Sequence, residues 1–303
     1  MDDQIDLAFE RFSKTLSKID QSDLNFLKDD IFKQIDDIAE LIENSTRPDE
    51  AKERFFRMCD VFDQSVMHQR TRWKPMGYAG DFLTIDWIYT QKKSESGSGK
   101  KFDELFHMYE AAQAVRNRKE YFIKVCAELS KAKKSTIEIL DLGCGSCRDV
   151  LEAHQICHNG VHYHFHCVDQ EPMAVEYAKS LIKGTKAEPY VQLDCKNIFR
   201  FQTSKQYDLI WSAGLFDYLD SRAAALLIRK IWRYLKKGGF LIFGNFSPKN
   251  PTRKGMELVS KWHLLHRTTD ELIAICEESG VPYSSVDVES ESLGINLFCR
   301  IGK

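Results

Sequence analysis

Apolar residues recur at three- and four-residue steps along the first part of the chain. One stripe follows Ser22, which suits an N-cap, and consists of Leu24, Leu27, Ile31, Ile35, Ile38 and Ile42. A second follows Pro48, which suits a first helical turn, and consists of Phe55, Met58, Val61 and Phe62. Because this spacing is typical of amphipathic helices, we predict two helices whose apolar faces are packing surfaces.

Short apolar runs alternate with amphipathic segments in the remainder of the chain. The runs predict strands near residues 137–142, 163–169, 189–194, 207–212 and 239–246, with helices near 146–158, 172–184 and 221–236. This order is typical of a parallel sheet covered by helices on both faces. After a helix near 268–279, two strands at 281–288 and 294–301 are separated by a turn too short for a helical crossover, so we expect an antiparallel pair.

A polar segment, residues 91–101, separates the two halves and is rich in lysine, glycine and serine. It lacks the periodicity of a helix or a strand, and we predict a flexible loop. The loop divides the chain into an N-terminal helical domain, residues 1–100, and a second domain, residues 101–303.

The composition excludes some partners without choosing a function. The chain has 303 residues, a net charge of −2 and a pI near 6.5, so no global field favours nucleic acid or an anionic membrane. The start, Met1-Asp-Asp-Gln, is acidic, unlike a signal peptide, and no apolar run approaches the ~18 residues of a membrane span. We therefore expect a cytoplasmic protein whose nine cysteines are reduced.

The first predicted strand ends in a glycine-rich turn, Asp141-Leu-Gly143-Cys144-Gly145. Both glycines can adopt positive φ and lack a Cβ, so the backbone can approach a ligand, and the free N–H groups of the next helix point towards it. The second strand ends on Asp169, whose carboxylate suits the hydroxyls of a ribose. The pattern predicts a nucleotide-like cofactor, although Arg148 replaces the third glycine of the dinucleotide-binding motif.

A zinc site has to be considered, because Cys144 and Cys147 form a C-x-x-C pair and five histidines fall within residues 154–166. However, Cys144 lies inside the predicted cofactor turn. The histidines of residues 162–166 alternate along a strand, on a face that more simply contacts solvent or a helix. We therefore expect no metal.

Five segments in order resemble the class I S-adenosylmethionine-dependent methyltransferases: E-I-L-D-L-G-C-G (138–145), V-D (168–169), L-D-C (193–195), Y-D-L-I-W (207–211) and L-K-K-G-G-F-L-I-F (235–243). The resemblance covers roughly residues 105–302. It implies a Rossmann-like seven-stranded α/β sheet, here with an N-terminal helical domain, and S-adenosylmethionine as cofactor. The predicted antiparallel hairpin at the end is typical of this sheet and argues against the dehydrogenase sheet, which normally closes with another parallel strand.

The resemblance also implies roles for the matching positions. Asp141, Gly143 and Gly145 would lie along the methionine part of the cofactor. Asp169 would bind the ribose, and Asp194 with the Cys195 N–H would meet the adenine. The complete set expected at the cofactor is Tyr78, Arg118, Asp141, Gly143, Cys144, Gly145, Asp169, Gln170, Asp194, Cys195, Ser212 and Gly214.

Arg116 and Arg118 precede the first strand on a predicted helix, and either could form a bidentate pair with the methionine carboxylate of the cofactor. The alternative for Arg116 is a solvated pair with Glu120 one turn later. We favour Arg118 as the cofactor ligand.

Two further segments bear on the methyl acceptor. The block K-P-M-G-Y-A-G-D-F (74–82), with G-L-F-D-Y-L (214–219), resembles bacterial carboxyl O-methyltransferases with an N-terminal helical domain. Members of this group are associated with 3-hydroxypalmitate methyl ester or with the C-terminal carboxylate of lanthipeptides. We expect a lid in which Tyr78 closes over the cofactor and the acceptor; the alternative is a tight interdomain turn. The loop after the fourth strand lacks the N/D-P-P-Y sequence, which disfavours methylation of DNA or glutamine.

A carboxylate is already ionised at neutral pH and needs no general base, so cationic groups should orient it. The candidates are Arg72, Arg253, His263 and Arg267. We assign catalytic roles to Tyr78, His263 and Arg267, and we expect a peptide or small-molecule carboxylate as substrate. A homodimer through the apolar stripe of the helical domain is an open alternative to a monomer.

Two other functions stay open. The first is a small-molecule O- or N-methyltransferase of natural-product biosynthesis, in which His263 would act as a base. The second is a non-catalytic module that binds S-adenosylmethionine as a sensed ligand.

Overall fold

A computed structural model describes residues 2–132, 136–156 and 162–303. The chain forms two compact units: the first comprises Met1–Gln113 and Asn250–His263, and the second comprises Ala114–Lys249 and Leu264–Lys303. Residues 101–113 and 250–263, which the sequence places in the second domain, are thus part of the first unit. No helix in the described part of the chain is both long enough and apolar enough to cross a bilayer.

Helices and strands alternate in the order expected for the second unit. The described helices are α1 (Asp2–Leu16), α2 (Leu24–Glu43), α3 (Pro48–Met58), α4 (Val66–Trp73), α5 (Phe82–Thr90), α6 (Gly97–Met108), α7 (Glu110–Ala132), α8 (Arg148–Ile156), α9 (Pro172–Ile182), α10 (Ser221–Trp232), α11 (Arg253–Ser260) and α12 (Thr269–Ser279). The strands are β1 (Ile137–Leu142), β2 (Tyr163–Asp169), β3 (Val191–Cys195), β4 (Tyr207–Ser212), β5 (Leu235–Phe246), β6 (Ser285–Ser290) and β7 (Asn296–Gly302). Residues 157 and 158, predicted to end the helix after β1, lie outside the described residues.

The core of the first unit contains the two apolar stripes. Ile31, Ile35 and Ile38 of α2 are buried in one cluster with Phe12 of α1 and Phe55 of α3. The prediction that these faces are packing surfaces is therefore confirmed.

The N-cap of α2 is Asp23 and not Ser22. The Asp23 side chain accepts a hydrogen bond from the N–H of Asn25 at 2.8 Å. The prediction was one residue early because serine and aspartate are about equally good N-caps, and two such residues are adjacent in the sequence.

The glycine- and serine-rich segment is only partly a loop, because α6 begins at Gly97. A Cβ on Gly99 would lie 2.2 Å from the Gln64 carbonyl oxygen. Glycine is needed here for close backbone packing. The prediction of a flexible loop through residue 101 was wrong because composition alone does not distinguish a flexible glycine from a closely packed one.

The second unit contains a seven-stranded sheet in the order β3-β2-β1-β4-β5-β7-β6. Neighbours among the first five strands are parallel, whereas β7 is antiparallel to both β5 and β6. The expected fold class is confirmed, including the antiparallel last pair. Both strands of that pair begin later than predicted, at Ser285 and Asn296.

The strand order places the ligand-binding edge. The chain winds outward from β1 to β2 and β3, then returns to the other side of β1 with β4 and β5. In open α/β sheets, ligands bind at the carboxyl ends of the strands where the order reverses. The glycine-rich turn after β1 and the loop after β4 are at this point.

We predict that Gly99→Ala destabilises the first unit by about 1–3 kcal/mol, because the added methyl group overpacks against the Gln64 carbonyl oxygen. Gly255→Ala in α11 is the matched control. A Cβ on Gly255 would lie 3.5 Å from its nearest neighbour, the Phe32 ring. Alanine in place of glycine favours a helix by up to about 1 kcal/mol. Equilibrium urea unfolding should separate the two variants, and equal effects would contradict the packing role of Gly99.

Candidate active site

The turn after β1 is held against the end of β2 by its own backbone. Gly143 and Gly145 have φ of 72° and 53°, as their sequence pattern predicts. The Gly143 N–H donates to the Val168 carbonyl oxygen at 2.8 Å, and the Gly145 N–H donates to Asp169 Oδ2 at 2.9 Å. Cys147 also has positive φ, at 55°, so α8 begins after it and not at the predicted residue 146.

Asp141 lies below this turn and is buried. Within the described residues, no group forms a hydrogen bond to its Oδ2 atom. Burial raises the pKa of Asp141, the nearby charges of Asp149 and Asp169 raise it further, and Arg118 opposes the shift. A buried carboxylate oxygen without a donor is costly, and this one suits the cationic group of a ligand.

Asp149 is a second buried acid beside the turn, and the sequence analysis did not single it out. Burial raises its pKa to about 6, although its Oδ1 accepts a hydrogen bond from the Val150 N–H at 2.9 Å. Its position in the first turn of α8, directly after the glycine-rich turn, was the signal that could have identified it.

Asp169 is fixed by two backbone amides. In addition to the bond from Gly145, its Oδ1 accepts a hydrogen bond from the Glu171 N–H at 2.9 Å. Burial raises its pKa. The next residue, Gln170, is exposed, and its Oε1 accepts a hydrogen bond from Asn197. Each Asp169 oxygen retains a lone pair that a ribose hydroxyl could use.

Asp194 and Cys195 are at the end of β3, as predicted. Asp194 Oδ2 contacts Lys196 Nζ at 2.9 Å and His166 Nε2 at 3.1 Å. Burial raises the pKa of Asp194, but these two partners outweigh burial and lower the pKa below its ordinary value. The adenine contact of Asp194 and of the exposed Cys195 stays a prediction.

The loop after β4 is close to Arg118, and residues 213–219 are termed the acceptor loop. Arg118 is buried, and its Nη1 donates to the Ala213 carbonyl oxygen at 3.5 Å. A Cβ on Gly214 would lie 3.1 Å and 3.3 Å from the two terminal nitrogens of Arg118. Glycine at this position therefore leaves room for the guanidinium group. Ser212 Oγ donates to the Leu142 carbonyl oxygen at 2.8 Å and joins β4 to β1.

Arg267 is buried and supports the acceptor loop by hydrogen bonds. Its guanidinium group donates to the Phe216 carbonyl oxygen at 2.9 Å, to Asn245 Oδ1 at 2.7 Å and to the Leu219 carbonyl oxygen. These contacts describe a structural role. The catalytic role assigned to Arg267 from the sequence stays a prediction.

Asp217, within the acceptor loop, is buried as Asp141 and Asp149 are. Like Asp149, it was not among the residues predicted from the sequence. Burial raises its pKa to about 7, against the bond from the Phe246 N–H and the charges of Arg118 and Arg267. No sequence signal beyond the G-L-F-D-Y-L segment distinguishes this acid from a surface aspartate, because its burial is a tertiary property.

The family model described as a methyltransferase domain matches residues 133–285, about half of the chain. The chain belongs to this methyltransferase family. The expected enzyme class, a methyltransferase, and the expected cofactor, S-adenosylmethionine, are confirmed. No curated protein matches the chain in sequence.

Solved structures show the same fold at low sequence identity. A possible exported protein from Bordetella parapertussis is 17% identical, with a TM-score of 0.63, over 86% of this chain and 99% of that one. Magnesium protoporphyrin IX methyltransferase from Synechocystis PCC 6803, solved with bound S-adenosylhomocysteine, is 11% identical, with a TM-score of 0.52, over 80% and 100%. The S-adenosylmethionine-dependent methyltransferase SibL is 14% identical, with a TM-score of 0.53, over 83% and 74%.

Two further residues predicted at the site, Tyr78 and His263, belong to the first unit of the methyltransferase. Tyr78 is 39% exposed in the turn between α4 and α5, and His263 is exposed at the end of the segment that includes α11. Asp81 caps α5 through the N–H groups of Leu83 and Thr84. The roles of Tyr78 and His263 at the cofactor and the acceptor stay predictions.

The other cationic candidates have structural partners. Arg72 is buried in the first unit and donates to Asp63 Oδ1 at 2.6 Å, to Asp60 Oδ1 at 2.7 Å and to two backbone carbonyl groups. Arg253 pairs with Glu257 one helical turn later, at 2.7 Å. These contacts give no support to a role in orienting the acceptor.

The described cysteines and histidines of the methyltransferase form no cluster that could hold a metal ion. Across residues 2–132, 136–156 and 162–303, no group of three or more ligating side chains is placed to hold an ion. His166 is buried and contacts the Tyr207 hydroxyl, whereas His164 is exposed. The described cysteines are free thiols, and His158, one of the histidines considered for zinc, lies outside the described residues.

The arrangement around Asp141 fits the amino-acid end of S-adenosylmethionine. The buried Oδ2 atom could accept a hydrogen bond from the ammonium group of the cofactor, and the two glycines leave the backbone open to it. Arg118, whose charge acts on Asp141, would be the nearby cation for the carboxylate group. The structure brings together Arg118, Asp141, Gly143, Gly145, Asp169 and Gly214 of the predicted cofactor set.

We predict that cofactor affinity falls as pH decreases, since burial raises the pKa of Asp141 and raises that of Asp149 to about 6. Because the pKa values of Asp141 and Asp149 are raised, their charges are present above those pKa values and are lost on acidification. A neutral carboxyl group binds an ammonium group less tightly. Asp141→Asn should therefore weaken binding at pH 8 by roughly 10-fold or more and flatten the pH dependence.

Isothermal titration with S-adenosylhomocysteine between pH 5.5 and 8 measures both effects. Asp208→Asn is the control. Asp208 is also a buried acid, but it lies near the start of β4, whereas the site is at the carboxyl ends of the strands. Unchanged affinity of the Asp141→Asn protein would contradict the assignment.

Proposed function

We propose that this methyltransferase acts on a carboxylate oxygen of a peptide C-terminus or an acyl molecule and forms a methyl ester. The observation that carries the proposal is the pair of buried guanidinium groups at the acceptor loop. Burial raises the pKa of Asp217, and the charges of Arg118 and Arg267 oppose that rise. Two cations therefore raise the electrostatic potential at this loop. An anionic acceptor fits such a site better than a cationic or neutral one.

The chemistry requires little of the protein beyond binding. The methyl group of the cofactor is attached to a sulfonium and is already electrophilic. A carboxylic acid with an ordinary pKa of roughly 4 is ionised at neutral pH, so no side chain has to remove a proton. The residues of the site would hold the two reactants in line and keep water away from them.

Sequence similarity supports the same class of acceptor. The segments 74–82 and 214–219 are similar to those of carboxyl O-methyltransferases with an N-terminal helical domain. We infer that Tyr78 and His263 contribute to acceptor binding.

A second candidate function is methyl transfer to a hydroxyl or amine of a small molecule. Such an acceptor has to lose a proton, and Asp217, with a pKa raised to about 7, could take it up near neutral pH. This observation keeps the second candidate open.

The test is an acceptor panel with S-adenosylmethionine labelled in the methyl group. The panel contains 3-hydroxyhexadecanoic acid, short peptides with a free C-terminus, the corresponding peptide amides, and simple phenols and amines. We expect label only in the acids and the free-C-terminal peptides, and its release as methanol in mild alkali, since a methyl ester is alkali-labile. Label in the amides, or an alkali-stable product, would favour the second candidate.

A further inference from the structure

The acceptor loop is joined to β5 and to the segment before α12 through one buried carboxyl group. Asp217 is 2% exposed, and its Oδ1 accepts a hydrogen bond from the Phe246 N–H at 2.7 Å. Its own carbonyl oxygen accepts a hydrogen bond from the Leu265 N–H at 2.8 Å. A single residue of the loop thus contacts two other elements, one through its side chain and one through its backbone.

The neighbours of Asp217 strengthen this attachment. Arg267 binds the carbonyl oxygens of Phe216 and Leu219, on either side of Asp217, and also Asn245 at the end of β5. Asn245 Nδ2 in turn donates to the Leu265 carbonyl oxygen at 2.8 Å. These contacts form one buried network around the loop that follows β4.

We propose that Asp217 is a positioning residue that fixes the acceptor loop to β5, and that it thereby controls transfer to the acceptor without changing the affinity for the cofactor. The role does not depend on the chemical class of the acceptor, provided that Asp217 takes up no proton from it. It therefore goes beyond the proposed acceptor class and can fail independently of it.

The protonation state of Asp217 gives this role a pH dependence. The groups that face the carboxyl are Arg118 from α7, Arg267 before α12 and the Phe246 N–H from β5, and all three favour the charged form, whereas burial opposes it. Because the pKa in the folded protein is raised to about 7, the neutral form is favoured in the closed loop. The stability of the loop is therefore greatest below the ordinary aspartate pKa of about 4 and is lost progressively as pH rises from there to about 7.

Three variants separate positioning from general stability. Asp217→Ala removes the acceptor for the Phe246 N–H, and Asp217→Asn keeps an oxygen there but cannot ionise. Asp208→Ala is the matched control, because Asp208 is equally buried on β4 and accepts a backbone N–H, that of Glu138 at 2.8 Å, at the other end of the strand.

Amide hydrogen exchange of the peptide that covers residues 213–219, corrected for intrinsic rates, measures the loop directly. We expect Asp217→Ala to lose about 10-fold or more of the wild-type protection, and Asp208→Ala to retain it. Wild-type protection should fall as pH rises from about 5 to 7, and the Asp217→Asn protein should show full protection with no such fall.

Calorimetry and turnover complete the test. Affinity for S-adenosylhomocysteine should stay within about 2-fold in the Asp217 variants, since the hydrogen bonds of Asp217 are with Phe246 and Leu265. With any acceptor that the panel labels, kcat/KM should fall roughly 10- to 100-fold in Asp217→Ala and be rescued in Asp217→Asn at pH 6.

Four outcomes would overturn the proposal: wild-type loop protection in Asp217→Ala, a parallel loss of cofactor affinity, an equal loss of protection in Asp208→Ala, or a persistent pH dependence in Asp217→Asn. If Asp217→Ala does not fold, the pH dependence of Asp217→Asn still decides. If the product is stable to alkali but the Asp217 variants behave as expected, only the carboxylate acceptor is refuted.

Discussion

The site depends on a carboxylate that the fold buries, and one of its oxygens has no hydrogen-bond donor among the residues that the structure describes. Asp141 is at the carboxyl end of β1, beneath the glycine-rich turn, and two further acids raise its pKa. Burying such a group costs free energy unless a partner is present. The cost is offset if a cation binds, and the amino-acid end of S-adenosylmethionine carries one. If Asp141 binds the cofactor as predicted, this one group links cofactor binding to the local arrangement of β1, β2 and α8.

Arg118 connects the cofactor side of the site to the acceptor side. Its charge acts on the pKa values of Asp141, Asp149 and Asp217, and its terminal nitrogens occupy the space that a side chain at residue 214 would need. One buried guanidinium group thus favours the charged forms of two acids beside the glycine-rich turn and of Asp217 in the acceptor loop. Arg267 binds two carbonyl groups of that loop.

Patterns of local sequence predicted the fold well. The bounds of β1, β2 and β4 match the prediction because each is a short, largely apolar segment ended by a glycine or polar turn. Local sequence could not predict features set by distant neighbours. Gly99 packs against residue 64, residues 250–263 belong to the first unit, and the burial of Asp217 depends on β5 and Arg267. The glycine-rich turn was recognisable because its function constrains the backbone itself, whereas acceptor recognition depends on side chains from several elements.

A crystal structure with S-adenosylhomocysteine bound tests the central claim most directly. The account predicts that the ammonium nitrogen of the ligand is within hydrogen-bond distance of Asp141 Oδ2, with the ribose hydroxyls at Asp169. A ligand bound elsewhere, or one that leaves Asp141 Oδ2 without a partner, would contradict it.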